Sequence, residues 1–287
     1  MTETKSLELR KLSREGLRTL VAWAANEGWN PGVHDQEVFW ETDPEGFYGF
    51  FMGDTLIAGG AVVSYQRSFG FMGLFIVHPN HRGQGIGRKL WHLRRDLLQG
   101  RLDQGAAIGM DGVVAMQPFY EKGGFRRAFK EERYERTGSE FDVSNRITPI
   151  MVNDHEALMD YDRTCIGYER RVFLSNWFRM PDSQGFQFKQ DHRVRGYAVV
   201  RKAIEGYKIG PLFADTQEVA EELYKACLNA CLGQSVFLDI PVINQGAVDL
   251  VCKYEAKYVF ECARMYLGKW PDSKIDKVFG ITTFELG

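Results

Sequence analysis

Three glycines within five residues set how this chain must turn. The segment Val77-His78-Pro79-Asn80-His81-Arg82-Gly83-Gln84-Gly85-Ile86-Gly87-Arg88 follows an uncharged run, FGFMGLFIV (69–77), and leads into apolar residues at helical spacing. An apolar run without alternation predicts a central strand covered on both faces. Ile86, Leu90, Leu93 and Leu97 predict one apolar helix face, with Arg88, Lys89, His92 and Arg95 mostly elsewhere and Gly100 as its end. The glycines remove side chains where backbone N–H groups project, and the first N–H groups of a helix have no internal partner. The helix dipole adds positive potential, so such a terminus takes phosphate. Arg82, Arg88 and Lys89 add charge at its rim. A dinucleotide fingerprint fails because Arg88 stands where its third glycine belongs, and no Gly-Lys-Ser/Thr exists for a Walker loop.

Around this segment the chain reads as α/β. Ser13 is a helix cap before Leu17, Leu20, Val21 and Ala24, and Gly28 ends that helix. A WNPG loop (29–32), a short helix near 35–40 and strands over 47–52 and 55–65, joined at Gly53-Asp54, precede the 69–77 strand. A strand over 106–111, a helix over 115–122 and a strand from Phe125 complete the first half. The second half repeats the order. Strands are predicted over 146–150, 185–189, 193–201, 207–213 and 235–240, and helices over 154–163, 169–179, 220–231 and 245–254. Asp111 precedes Gln117 as Asp239 precedes Gln245, and FYEKGGF (119–125) is similar to KYEAKYVF (253–260). A duplicated unit joined near 138–144 is the economical organisation.

Composition narrows the class. Apolar residues at 44% and charged residues at 26% match globular chains, and 36 Lys+Arg against 38 Asp+Glu give no basic field for nucleic acid. No apolar run is long enough for a bilayer, and the first 17 residues lack the apolar stretch of a leader. Five cysteines without a C-x-x-C suit reduced, mostly buried thiols in the cytoplasm.

Arg82-Gly83-Gln84-Gly85-Ile86-Gly87 resembles the Arg/Gln-x-x-Gly-x-Gly/Ala pyrophosphate loop of the GCN5-related N-acetyltransferases. Phe119-Tyr120-Glu121-Lys122-Gly123-Gly124-Phe125 is similar to that family's tyrosine-bearing fourth helix and following Gly-Phe. This likeness covers about residues 5–137. WNPG with Asp35, DPEGF, MDGV and Gln117 with Tyr120 resemble a tandem subgroup, whose divergent second domain RVFLSNWF, GYAVVRK, IGPLFAD and the closing FELG resemble in turn. The resemblance implies two tandem domains, 1–140 and 141–287. Each would have a mixed, mostly antiparallel sheet with a splayed parallel strand pair and flanking helices.

It also implies an acetyl-CoA-dependent N-acyltransferase that moves the acyl group directly to a primary amine of a small molecule, or of a peptide. Phe75, Ile76 and Val77 would hold the pantetheine by main-chain bonds, and residues 82–87 with Arg88 would hold the pyrophosphate. Tyr120 matches the usual thiolate acid, or is a core tyrosine. The family's frequent strand glutamate is missing from 69–77, which leaves Asp111 as a base or merely as a helix cap. Trp29, Asn30 and Asp35 fall in the segment that covers the acceptor. No metal is implied.

The second half lacks the glycine turn. Asp215, Glu218, Glu221 and Glu222 crowd the corresponding helix start and would repel phosphate. That half would serve as a wall, with Tyr168 or Arg171 reaching the acceptor cleft, or as support. The competing class is an acyl-CoA sensor without turnover.

Overall fold

The computed structural model describes residues 6–287; residues 1–5, the start of the stretch read as leaderless, lie outside the described residues. The first half runs β1 (Leu7–Lys11), α1 (Arg14–Asn26), α2 (Asp35–Thr42), β2 (Phe47–Met52), β3 (Thr55–Ala61), β4 (Val63–Tyr65), β5 (Phe69–Phe71), β6 (Ile76–Val77), α3 (Ile86–Arg101), β7 (Ala107–Val113), α4 (Gln117–Lys122) and β8 (Arg126–Thr137). The second runs β9 (Ile147–Pro149), α5 (His155–Ile166), α6 (Arg171–Trp177), β10 (Ser183–Gln190), β11 (Arg193–Lys202), β12 (Tyr207–Ala214), α7 (Gln217–Asn229), β13 (Ser235–Pro241), α8 (Gln245–Lys253), β14 (Lys257–Leu267) and β15 (Val278–Gly280).

Local expectations hold where local chemistry decides. Ser13 accepts the Gly16 N–H, and Leu17, Leu20, Val21 and Ala24 are buried along α1. Two expected strands break instead. The 55–65 strand divides at Val62, and the 69–77 strand divides into β5 and β6, with Leu74 between them at φ +49°. A buried arginine holds both breaks together: Arg94 donates to the Ala61 and Gly73 carbonyls. Gly100 does not end α3, which runs to Arg101. A Cβ there would meet nothing, so only helix propensity opposes the continuation, at about 1 kcal/mol.

The breaks separate two sheets. β1-β2-β3-β6 form one, and β4-β5-β7-β14-β8-β13-β12-β11-β10-β9 form the other, with β15 beside β12. Pairing is mostly antiparallel. β5–β7 and β12–β13 are the parallel pairs, as the resemblance implies. The first pair holds register from Phe69 opposite Ala107 to Phe71 opposite Gly109, then diverges as β6 crosses to β3.

The large sheet is continuous across both halves because their last strands are exchanged. β14 lies between β7 and β8, and the far edge of β8 pairs with β13. Neither half closes its own sheet. The apolar core follows, since one cluster joins Leu20, Phe39 and Phe47 to Leu158, Phe173, Trp177 and Tyr197.

Candidate active site

A cavity of about 620 Å³ opens where β5 and β7 diverge. Residues 72–77 form one side. Met110, Asp111, Val113, Phe119 and Tyr120 form the other. Among the described residues β6 pairs only with β3, at Ala58 opposite Val77 and Gly59 opposite Ile76. The outer edge of Phe75, Ile76 and Val77 can therefore add an extended, amide-bearing chain as a further strand.

At one end of this edge lies the glycine turn. Gly83 and Gly85 both have φ +76°, a left-handed conformation that disfavours other residues, and a Cβ on either would meet nothing within 4 Å. Gly87 packs on Val77 and Phe75. Arg82 donates its Nε to the Val77 carbonyl at 2.9 Å and pairs with Glu27. Arg82, Gly87 and Arg88 line the cavity. Ile86 turns its side chain into the core, leaving only its N–H for a ligand. Gln84 is exposed and donates to the Asn80 carbonyl at 3.4 Å. Open N–H groups, a helix start and two arginines fit a pyrophosphate.

Deeper in, Tyr120 stacks on Trp91 with 6.1 Å between ring centroids. Burial pushes its pKa up to about 12, against the nearby Arg94 charge. The phenol therefore keeps its proton at neutral pH. Asp111 faces the cavity too, but not as a lone carboxylate. Arg264 from β14 donates to both of its oxygens, at 2.5 and 3.0 Å, and approaches Glu131 at 3.4 Å. Burial raises the Asp111 pKa despite Arg264. Burial and the neighbouring Asp111 raise that of Glu131 well above the ordinary carboxylate value. Of the two, Glu131 is pushed further from ionising, and Asp111 keeps the closer pairing with Arg264. Cys262 donates to Glu131 at 3.3 Å, and burial holds its thiol far from ionising. It lines the cavity but offers no thiolate nucleophile.

The acceptor-side expectations need correction. Trp29 lines the cavity, but Asn30 and Asp35 do not. Asn30 exchanges hydrogen bonds with the backbone of Glu205. Asp35 is fully buried away from the cavity, so an ammonium in it does not reach this acid, and Arg201 of β11 donates to its two oxygens at 2.8 and 3.2 Å. Burial alone would raise its pKa, yet Arg201, Lys208 and the Gly32 N–H bring it below the ordinary value. Tyr168 and Arg171 also lie elsewhere. Tyr168 stacks on Phe69 in the core, and Arg171 pairs with Glu156, Asp160 and Glu169. The residues that the second half does contribute are Phe260, Cys262, Phe284 and Glu285. Nothing local marks them, apart from the closing FELG.

The acids at the start of α7 are mostly paired. Asp215 accepts from Lys277, Arg195 and Tyr161, Glu221 from Lys253 and Tyr254, and Glu222 from Lys225. Thr216 caps the Val219 N–H. The expected repulsion is therefore weaker than four bare charges would give.

Fold and site define a class: a duplicated α/β protein whose cavity opens between diverging parallel strands beside a glycine-rich helix start. The comparisons agree. The acetyltransferase (GNAT) family model matches residues 11–125, and an acetyltransferase (GNAT) domain model matches residues 158–280. The chain is 28% identical over its whole length to the holothin acyltransferase of Pseudoalteromonas sp. (strain SANK 73390), covering 97% of that protein. It is 24% identical to the uncharacterized N-acetyltransferase YitH of Bacillus subtilis (strain 168), over 75% of this chain and 76% of that one. A solved structure from Pyrococcus horikoshii superposes with a TM-score of 0.84 at 20% identity, covering 100% of this chain and 97% of its own. The tandem GNAT protein from the clavulanic acid biosynthesis pathway gives 0.64 at 12%, over 92% and 98%. The chain belongs to the GCN5-related N-acetyltransferases, a family that uses acetyl-CoA or another acyl-CoA, and carries two such domains in tandem. Among the described residues no helix is long and apolar enough to cross a membrane, and no His/Cys/Asp/Glu group is placed to hold a metal.

Proposed function

We propose that this chain is an acyl-CoA-dependent N-acyltransferase, acetyl-CoA being the expected donor, with one working site, in residues 1–140. Residues 75–77 hold the pantetheine arm along the free edge of β6. The N–H groups of 82–87, with Arg82 and Arg88, hold the pyrophosphate. A cavity of about 620 Å³ favours a small-molecule amine over a peptide once the arm is inside. Reduced, mostly buried thiols suit a cytoplasmic enzyme.

The observation that carries this reading is the pairing of two proton-transfer groups on one cavity. Asp111, paired with Arg264, takes one proton from the ammonium, which frees the nitrogen lone pair that attacks the acyl carbon. The C–N bond forms as the C–S bond breaks, the Tyr120 hydroxyl gives its proton to the departing sulfur, and the second proton shed by the new amide nitrogen restores that hydroxyl. No covalent enzyme intermediate is needed, in keeping with the un-ionised Cys262.

The test is thiol release from acetyl-CoA with a panel of primary amines. Tyr120→Phe is expected to bind CoA as the wild type does in calorimetry, while kcat falls about 10²–10⁴-fold. A variant with wild-type kcat would make Tyr120 a packing residue. CoA binding without thiol release for any amine would favour a sensor.

A further inference from the structure

Phe284 and Glu285 stand at the cavity because of where the chain runs before them. In the second half, β12 and β13 hold parallel register from Tyr207 opposite Val236 to Ile209 opposite Leu238, then diverge as β5 and β7 do. The first divergence is a cavity; the second is filled. β15 enters it antiparallel to β12, with Leu212 opposite Gly280 and Phe213 opposite Val278. Ile281 bridges to the other strand, its N–H donating to the Asp239 carbonyl at 2.7 Å. Fit is close, since a Cβ on Gly210 would meet the Thr282 carbonyl at 2.3 Å, and one on Gly280 would meet Leu238 at 2.6 Å.

The segment then continues into the first half. The Glu285 carbonyl packs on Gly73, where a Cβ would lie 1.8 Å away, and the Leu286 carbonyl accepts the Tyr65 hydroxyl at 2.9 Å. Phe284 meets Phe260 edge to face at 5.7 Å. Behind both rings lies buried Arg133, 4.9 Å from Phe260 and 5.4 Å from Phe284, which also donates to the Trp29 carbonyl and is anchored by Asp239. One buried arginine thus gathers three half-buried aromatic residues from three segments around one end of the cavity, beside Asp111 and Glu285.

We propose that residues 278–287 permanently occupy the second half's equivalent of the cofactor groove and complete the first half's acceptor pocket, with Phe284 and Glu285 as specificity residues. The acceptor class is a compact primary amine with a flat apolar body. The body lies on Trp29, Phe260 and Phe284, and the ammonium faces Asp111 and Glu285. A polyol or a polyamine would leave hydroxyls or further charges against the rings. The assignment rests on the acyltransferase reading for its chemistry, but not for its geometry.

The experiment uses the full chain and two readouts. Calorimetry is expected to find one CoA per chain; a second bound CoA would overturn occupancy of the second groove. Benzylamine and tyramine are then compared with glucosamine and spermidine, in turnover and in binding to the CoA-loaded protein. The aromatic amines are expected to lead by tenfold or more in kcat/KM. Phe284→Leu and Glu285→Gln are expected to keep the wild-type CoA affinity and melting profile but raise the benzylamine KM about tenfold. Normal KM values in both variants, or no preference for aromatic amines, would overturn the proposal and leave the acyltransferase reading intact. If nothing turns over but benzylamine binds the CoA complex in a Phe284-dependent way, the pocket stands and the acyltransferase reading falls. If no amine binds at all, both fail.

Discussion

Ionising Glu131 is costly, and that cost should be visible in stability. Burial first, and then the Asp111 charge, raise its pKa well above the ordinary value, with Arg264 only partly opposing them. A carboxyl whose folded pKa exceeds its unfolded one stabilises fully below the unfolded value, near 4.3. That contribution is lost as pH rises toward the folded value. Glu131→Gln keeps the group neutral at every pH. Its melting temperature relative to the wild type is therefore expected to climb as pH rises above about 4, while the wild type loses this contribution. Parallel curves would show that Glu131 is ionised in the native state. Residues of this kind mark the limit of reading a site from sequence. Tyr120 and the glycine turn are legible because their neighbours in the chain are their neighbours in space. Asp111 is legible as a strand-end carboxylate, but Arg264, 153 residues away, is not. Asp35 misleads for the same reason: it reads as an acid in the segment over the acceptor, and Arg201, 166 residues distant, turns it into a buried tie between the halves.

At the scale of elements, the periodicity of α1, α3 and α7 and the glycine turn follow from local patterns. The breaks at Val62 and 72–75 do not, because Arg94 and the Glu285 carbonyl that support them come from elsewhere in the chain. The turn carries its own prediction. Gly85 sits at φ +76° with open space around its Cβ position. Gly85→Glu would put a charged side chain there without a packing clash, at a cost in backbone strain of about 1–2 kcal/mol. Strain of that size leaves most domains folded, so the expected result is a folded protein whose CoA affinity falls at least tenfold. Charge and bulk separate with Gly85→Ala, which bears the same strain but adds no charge, and is expected to lose less. Equal losses would assign the effect to backbone geometry; unchanged affinity in the Glu variant would remove the turn from the cofactor site.

At the scale of the molecule, duplication is legible in the repeated motifs, whereas strand exchange is not, since β8 and β14 read identically whichever sheet they join. A division at residue 140 separates the two sequence units but cuts the shared sheet. Residues 1–140 retain β7 and β8 but lose β14, which pairs with both, and β8 also loses β13. The fragment would expose three unpaired strand edges, one on β7 and both of β8, an aggregation hazard. It would also leave Asp35 and Asp111 buried without Arg201 and Arg264, and an orphaned buried charge costs about 3–5 kcal/mol. Two such losses approach the whole stability of a typical domain, about 5–15 kcal/mol. Residues 1–140 alone are therefore expected to be insoluble or to melt without cooperativity, although every glycine and arginine of the turn over 82–88 is present. Co-expression with 141–287 restores the missing strand and both arginines, and is expected to return soluble protein that binds CoA. A soluble 1–140 fragment with the CoA affinity of the full chain would show instead that the first half closes its own sheet in isolation, and that the exchanged strands add the acceptor wall to a domain already complete.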